Sequence, residues 1–226
     1  MFDFSLIWSF LPALGTGALL TLQLTALIIL LGVCLAVPVA LAKNSRWAAA
    51  RISAHAYIVI FRGTPSLVQV FLLYYGAGQF QFIKDSFLWP VLREPFWCVV
   101  VALGLNSASY TGKTLAAALA AVPKGVKDAA FSLGMNRATA FLTIYLPLAA
   151  RTALPAFGNE IILTCKATSL ASTVTLMELT GSARLLSSQT YAPYEVFASA
   201  GVVYLTINYS LMLLMRKLEA AFNYPH

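Results

Sequence analysis

Long stretches without a charged residue alternate with short polar segments along this chain. The first of these stretches runs from residue 4 to residue 42. A helix of about 20 apolar residues is long enough to cross the hydrocarbon core of a bilayer. The pattern therefore predicts an all-α membrane protein with about five transmembrane helices. The predicted spans are residues 14–41, 63–83, 96–121, 147–171 and 196–215.

Lys and Arg residues lie between these spans in an order that predicts the orientation of the chain. Spanning proteins collect Lys and Arg in their cytoplasmic loops. Basic clusters follow the first, third and fifth predicted spans, whereas residues 84–94 carry balanced charges. We therefore expect the N-terminus outside and the C-terminus in the cytoplasm, with residues 84–94 and 172–193 as external loops. The clusters are Lys43, Arg46 and Arg51; Lys124, Lys127 and Arg137; and Arg216 and Lys217.

The composition also indicates a membrane protein. Of the 226 residues, 60% are hydrophobic and 10% are charged, whereas soluble domains carry about 25% charged residues. The net charge of +7 is explained by the cytoplasmic loops, so it predicts membrane lipids and not nucleic acid as a partner. Cys34, Cys98 and Cys165 lie in apolar surroundings without a CxxC spacing, and we expect small buried residues there. We treat residues 1–226 as a single membrane domain.

An acidic residue inside the fourth predicted span is the sharpest candidate for a substrate site. A charge at bilayer depth costs at least about 2–3 kcal/mol, so such a residue faces a cavity or partner helices. Glu160 follows Asn159, and a proline and a glycine loosen the helix just before them. The carboxylate is suited to hold an α-ammonium group or a cationic side chain. The alternative is a salt bridge from Glu160 to Lys166, to Arg151 or to a partner subunit.

Other polar residues leave two interpretations open. Arg62 is either a ligand or an anchor to helix ends or lipid phosphate. The side chains of Gln79, Tyr110 and Thr168 either line a pathway or form ordinary hydrogen bonds between helices. The third predicted span must face protein or water for part of its length, because its polar residues are costly in lipid. Those polar residues are Asn106, Ser107, Ser109, Tyr110, Thr111 and Lys113.

Residues 127–147 mix polar and apolar positions and predict a short amphipathic helix on the cytoplasmic side. Asp128 is expected near the helix N-terminus, where a carboxylate suits the macrodipole. Ala129, Ala130 and Leu133 are expected to form one small apolar patch. Gly134 is expected to end the helix in a left-handed turn. Since Arg137 keeps this turn at a polar surface, the segment predicts a docking element on the aqueous face.

The spacing in this segment resembles the EAA loop of binding-protein-dependent ABC importer permeases. The usual Glu of that loop is an Asp here, and the alternative is a chance match by an interfacial helix. Two further segments, RGTP at residues 62–65 and VPKG at residues 122–125, resemble the polar amino acid branch. The sequences KATSL at residues 166–170 and TLME at residues 175–178 are similar to the M-type subunit of histidine/lysine/arginine/ornithine importers and of opine importers. The residues that match the EAA loop are Asp128, Ala129, Ala130, Gly134, Ile144, Leu146 and Pro147.

This resemblance implies a type I ABC importer permease fold in a bacterial inner membrane, with residues 123–147 as the coupling loop. Asp128, Ala129, Ala130, Leu133, Gly134 and Arg137 would then couple the chain to a cytoplasmic ATPase homodimer. The ATPase would bind ATP and Mg²⁺, while this chain would bind no cofactor and catalyse nothing. Further expected partners are an extracytoplasmic substrate-binding protein and a second permease subunit, with a heterodimer favoured over a homodimer. Import would proceed by alternating access. The substrates would be polar amino acids, in particular basic ones, or opines, held by Glu160, Asn159, Arg62 and Thr168.

Two other classes of protein remain as alternatives. A secondary transporter half or a channel would need no coupling loop, and deletion of residues 128–134 would leave its activity intact. An intramembrane enzyme would need a nucleophile with a base, or a metal site, and the distant His55 and His226 offer neither. The sequence Gly112-Lys113-Thr114 imitates the end of a phosphate-binding P-loop, but Ser107 stands where the motif needs a glycine.

Overall fold

The computed structural model describes residues 4–222, with the side chains from residue 10 onward, so His226 lies outside the described residues. Within this range the chain is helical and contains no strand. Two π-helical turns, Leu72–Gly76 and Phe141–Tyr145, and two 3₁₀ segments, Ala77–Gln79 and Thr168–Val174, extend or connect the α-helices. The helices are α1 (Phe4–Lys43), α2 (Ala48–Gly63), α3 (Ser66–Phe71), α4 (Gln81–Lys84), α5 (Trp89–Leu92), α6 (Pro95–Ala120), α7 (Lys124–Ser132), α8 (Arg137–Ala140), α9 (Leu146–Ala167), α10 (Leu179–Thr190) and α11 (Pro193–Phe222).

The two helices α1 and α6 pack along each other at the centre of the protein. Leu24 and Ile28 of α1 are fully buried and share a core cluster with Val99 and Leu103 of α6. The small residues of α1 permit close packing elsewhere, since a Cβ atom at Gly17 would lie 3.0 Å from the Cα of Leu179. Small residues at helix interfaces let the backbones approach closely, as they do at this position.

Three helical stretches in the described residues are long and apolar enough to cross a membrane: Phe10–Lys43, Arg137–Val174 and Pro193–Phe222. They contain the first, fourth and fifth predicted spans. Counted together, Ala48–Gly63 and Ser66–Gln79 would make a fourth span, bent by 103°. The prediction of one continuous span over residues 63–83 is therefore wrong, because the helical run after the break extends only over Ser66–Gln79, which is shorter than the roughly 20 residues that a span needs. The predicted break at Thr64 is confirmed, and Pro65 explains it by disfavouring helical backbone at the preceding residue.

The third predicted span agrees closely with α6. This helix has 26 residues, about 39 Å at 1.5 Å per residue, but its polar residues make it less apolar than the three stretches above. Ser107 and Ser109 are buried against other helices. The expectation that part of this span faces protein is therefore confirmed.

A buried carboxylate organises the segment that was predicted as a partly helical external loop. Glu178 is fully buried and caps α10, because its side chain accepts hydrogen bonds from the backbone N–H groups of Thr180 at 2.8 Å and Gly181 at 2.9 Å. The Tyr204 hydroxyl of α11 donates to the same carboxylate at 3.0 Å. Thr21 of α1 accepts from the Leu179 N–H at 3.1 Å and donates to Glu178 at 3.5 Å. One carboxylate thus joins α1, α10 and α11.

Replacing Glu178 by Ala should lower the free energy of unfolding by about 2–3 kcal/mol, since it removes a helix cap and leaves buried donors without acceptors. Thermal unfolding of the purified protein in detergent would measure the loss. Glu94→Ala is a matched control, because that exposed carboxylate lies 3.7 Å from Arg93 at the surface, where an ion pair contributes little. Equal unfolding temperatures for both variants would contradict a structural role for Glu178.

Candidate functional site

Two adjoining cavities lie between α6 and α9, and Glu160 lines both of them. Their volumes are about 160 Å³ and 290 Å³. Tyr110 and Leu163 are also common to both. Asn106, Ser107 and Thr164 complete the polar lining of the smaller cavity, while Thr111, Thr114 and Asn159 contribute to the larger one.

Glu160 is half-buried on α9, in the turn after Pro155. A proline inside a helix removes one backbone hydrogen bond and loosens the turn. Within the part of the chain that the structure describes, Glu160 and Lys166 do not form an ion pair. The alternative interpretation of Glu160 as the ion-pair partner of Lys166 is therefore not supported. Asn159 lies beside Glu160 and lines the larger cavity, so the structure brings these two candidates together.

Two hydroxyl groups of α6 add free hydrogen-bonding capacity to these cavities. The side-chain oxygens of Ser107 and Thr111 are buried and have no hydrogen-bond partner among the described residues. Buried polar groups in folded proteins are normally hydrogen-bonded, so unpaired ones at a cavity call for an explanation. The Glu160 carboxylate lies beside Ser107 and can accept its hydrogen bond, whereas a polar ligand in the cavities would supply a partner for Thr111.

Arg62 is the third candidate that the structure places beside this site. It lies at the end of α2, and its guanidinium carbon is 4.6 Å from the centre of the Tyr110 ring, in a cation–π contact. Its positive charge also acts on Glu160. Tyr110 lines both Glu160 cavities and therefore lies between this basic group and Glu160.

Two amide side chains hold the end of α2 against α6. Asn106 donates hydrogen bonds to the carbonyl of Phe61 at 2.9 Å and to the side-chain oxygen of Gln69 at 3.0 Å. Gln69 donates to the Phe61 carbonyl at 2.9 Å and to the Thr64 hydroxyl at 2.7 Å. The sequence alone did not assign this role to Gln69. The available signal was an amide residue, Gln69, shortly after a predicted helix break, and a second amide, Asn106, inside the next predicted span.

Thr168 does not join the other candidates. Its side chain is fully buried, and its hydroxyl donates to the carbonyl of Cys165 at 2.7 Å. Such a bond satisfies a carbonyl at a helix C-terminus. Gln79 is exposed and lines neither Glu160 cavity. Thr164, which the sequence did not single out, lies in the smaller cavity at the position one turn beyond Glu160.

The predicted docking helix is α7, and Gly134 ends it as expected. Gly134 has a φ of +75°. Its N–H donates to the carbonyl of Phe131, and the N–H of Met135 donates to the carbonyl of Ala130. This pair of bonds is the Schellman arrangement that closes a helix. The start of the helix was predicted too late: α7 begins at Lys124, so Asp128 lies beyond the first turn, where the macrodipole has most effect.

The apolar residues of α7 do not form one patch. Ala130 is buried against the protein, whereas Ala129 is exposed and Leu133 is 79% exposed. The expected single patch is wrong because Ala130, turned by about 100° from Ala129, packs against the protein, whereas Ala129 and Leu133, four residues apart, share the exposed side of the helix. The outward surface of α7 therefore carries Asp128, Ala129 and Leu133. Arg137 is exposed at the start of α8, which agrees with its predicted place at a polar surface.

An all-helical bundle with polar cavities between its central helices is the architecture of a membrane transport subunit. The family described as the binding-protein-dependent transport system inner membrane component matches residues 28–224. The chain belongs to this family. Its place is the inner membrane, and its partners include an ATPase and a substrate-binding protein.

Several curated relatives match nearly the whole chain. The octopine transport system permease protein OccM of Rhizobium radiobacter is 44% identical, over 97% of this chain and 90% of the relative. The nopaline transport system permease protein NocM of Agrobacterium fabrum is 41% identical, over 99% of this chain and 93% of the relative. The arginine ABC transporter permease protein ArtM of Haemophilus influenzae is 41% identical, over 91% of this chain and 89% of the relative.

Solved structures agree with this assignment. A crystal structure of an amino acid ABC transporter with histidines superposes with a TM-score of 0.84 at 32% identity, over 98% of this chain and 99% of the other. The MetNI methionine ABC transporter shares the fold, with a TM-score of 0.79 at 16% identity, over 98% and 100%. The chain is therefore a permease subunit of an ATP-driven importer and not an enzyme, a channel or a secondary transporter half, since ATP hydrolysis belongs to a separate subunit.

Proposed function

We propose that the Glu160 cavities hold the cationic group of a basic amino acid or an opine during import. The observation that carries this proposal is a carboxylate without a lysine partner that lines two polar cavities between α6 and α9. An ionisable group at this depth is costly and is normally retained for function. The relatives named for octopine, nopaline and arginine support the class of substrate, because all three compounds carry a guanidinium group. Asn159, Ser107 and Thr111 would supply further polar contacts.

Coupling to the ATPase would take place at α7. Leu133 and Ala129 are apolar yet exposed on this short helix, and an exposed apolar surface on a membrane subunit's aqueous face suits a protein interface. Asp128 adds a charged group to the same surface. ATP binding would draw the two ATPase subunits together, move α7 with them, and open the substrate cavities alternately to each side of the membrane.

The expected orientation, with the N-terminus outside and the C-terminus in the cytoplasm, determines where the other partners would bind. An extracytoplasmic binding protein would deliver the substrate to the outer segments at residues 84–94 and 172–193. A second permease subunit would complete the pathway, and the similarity to M-type subunits favours a heterodimer. ATP and Mg²⁺ would be bound by the ATPase subunits alone.

Replacing Glu160 by Gln should raise the substrate concentration for half-maximal uptake about tenfold or more, since a hydrogen bond to a charged group contributes about 1.5–3 kcal/mol. The complete importer in proteoliposomes would be assayed for arginine uptake and for substrate-stimulated ATP hydrolysis. Glu195→Gln, at the start of α11, is the matched control for loss of one carboxylate. Normal substrate affinity in the Glu160 variant would refute the proposed site.

Replacing Leu133 by Asp should reduce the amount of ATPase that co-purifies with the permease by at least about tenfold, because a charge would be desolvated in an apolar contact. The fold should be unchanged, since Leu133 is 79% exposed. Leu88→Asp places the same charge at an exposed position of the segment 84–94 and should leave ATPase binding intact. Equal recovery of the ATPase with both variants would show that α7 is not the contact.

A further inference from the structure

A third cavity adjoins Tyr110 and is lined by four basic side chains. It has a volume of about 350 Å³. Lys43 comes from the last turn of α1, His55 and Arg62 come from α2, and Lys113 lies three residues after Tyr110 on α6. No Asp or Glu residue is among the residues that line this cavity. Three helices thus direct positive charge into one concave space.

The charge of this cavity is not explained by contacts within the described part of the chain. Among the described residues, no carboxylate lies within 4 Å of Lys43, Arg62 or Lys113. Like charges lining a cleft with low-dielectric walls raise its potential and concentrate anions. Arg and Lys are the side chains that bind carboxylate and phosphate groups. The cavity therefore has the chemistry of an anion site.

Its position beside the Glu160 cavities relates this anion site to the substrate. Tyr110 lines all three cavities. The Arg62 guanidinium packs on the Tyr110 ring at 4.6 Å. One tyrosine therefore stands between an acidic region and a basic region, and an elongated substrate could place a cation on one side and carboxylates on the other.

We propose that the basic cavity binds the carboxylate groups of the substrate and that it favours a basic amino acid with a second carboxylate on its α-nitrogen over the free amino acid. This inference rests on the proposed role of Glu160. A free basic amino acid carries two cationic groups and one carboxylate, so it adds positive charge to a region that already has an excess. A second carboxylate makes the substrate electrically neutral and provides a partner for both Arg62 and Lys113.

The test compares two probes that differ by this carboxylate: arginine, and arginine N-carboxyethylated at its α-nitrogen, which is octopine. Each competes for uptake into proteoliposomes that contain the complete importer. Lys113→Gln should lower the preference for octopine over arginine about tenfold, whereas Lys113→Arg should retain it because the charge is kept. Arg46→Gln, which removes an exposed charge outside the cavity, should leave the preference unchanged.

The outcomes separate this inference from the proposal for Glu160. If Lys113→Gln lowers the apparent affinity for arginine and for octopine equally, or changes neither, the basic cavity does not recognise the second carboxylate and the inference is overturned. If Glu160→Gln leaves the affinity for both probes normal, the proposed function fails, whatever Lys113 does. A lipid phosphate is the competing anion. Repeating the assay in vesicles with and without phosphatidylglycerol would overturn the inference if Lys113→Gln changes only the response to that lipid.

Discussion

The cost of polar groups in hydrocarbon governs the arrangement of the helices around α6. This helix carries Asn106, Ser107 and Ser109 in its middle, and each would be costly if it faced lipid. α1 covers one side of α6 along the apolar cluster that includes Leu24 and Ile28. α9 covers another side and leaves the cavities at Glu160. The more apolar helices α1 and α9 thus enclose α6 and keep its polar residues away from lipid.

The same constraint explains how the chain tolerates a break after α2. A break in a helix exposes backbone carbonyls that need hydrogen-bond donors. Asn106 and Gln69 both donate to the Phe61 carbonyl, at 2.9 Å in each case. These bonds also fix the end of α2 where Arg62 reaches Tyr110. Asn106, a polar residue inside a predicted span, therefore satisfies a backbone carbonyl of α2 and also helps to position the Arg62 side chain.

The sequence was most informative where a local rule decides the structure. The break before Pro65 and the left-handed Gly134 follow from steric limits on single residues, and both are present. The candidates Glu160, Asn159 and Arg62 were identifiable because charges and amides are rare at bilayer depth. Their closeness to one another was not predictable, since it depends on how α2, α6 and α9 pack.

The sequence was less informative where local hydrogen bonds, weak helix signals or packing decide the structure. Thr168 looked like a pathway residue, but its hydroxyl bonds to the carbonyl of Cys165 three residues earlier, an option open to any Ser or Thr at a helix end. The start of α7 was misplaced because Lys124 and Gly125 carry no strong helix signal. Ala129 and Ala130 are alike in the sequence, and only the packing of α7 shows that one is exposed and the other buried.

In the proposed function, α7 would link the ATPase to the Glu160 cavities, and its contacts with neighbouring helices support such a link. The Tyr145 hydroxyl donates to the carbonyl of Lys127 in α7 at 3.5 Å, and Tyr145 immediately precedes α9. Below this contact, Val122 packs with Leu115 of α6 and Ala149 of α9. Glu160 lies 15 residues after Tyr145, about 22 Å along the helix. Since α6 and α9 are the two walls of the Glu160 cavities, a displacement of α7 would act on both walls, and the proposed sites of energy input and of substrate binding would lie far apart in one small subunit.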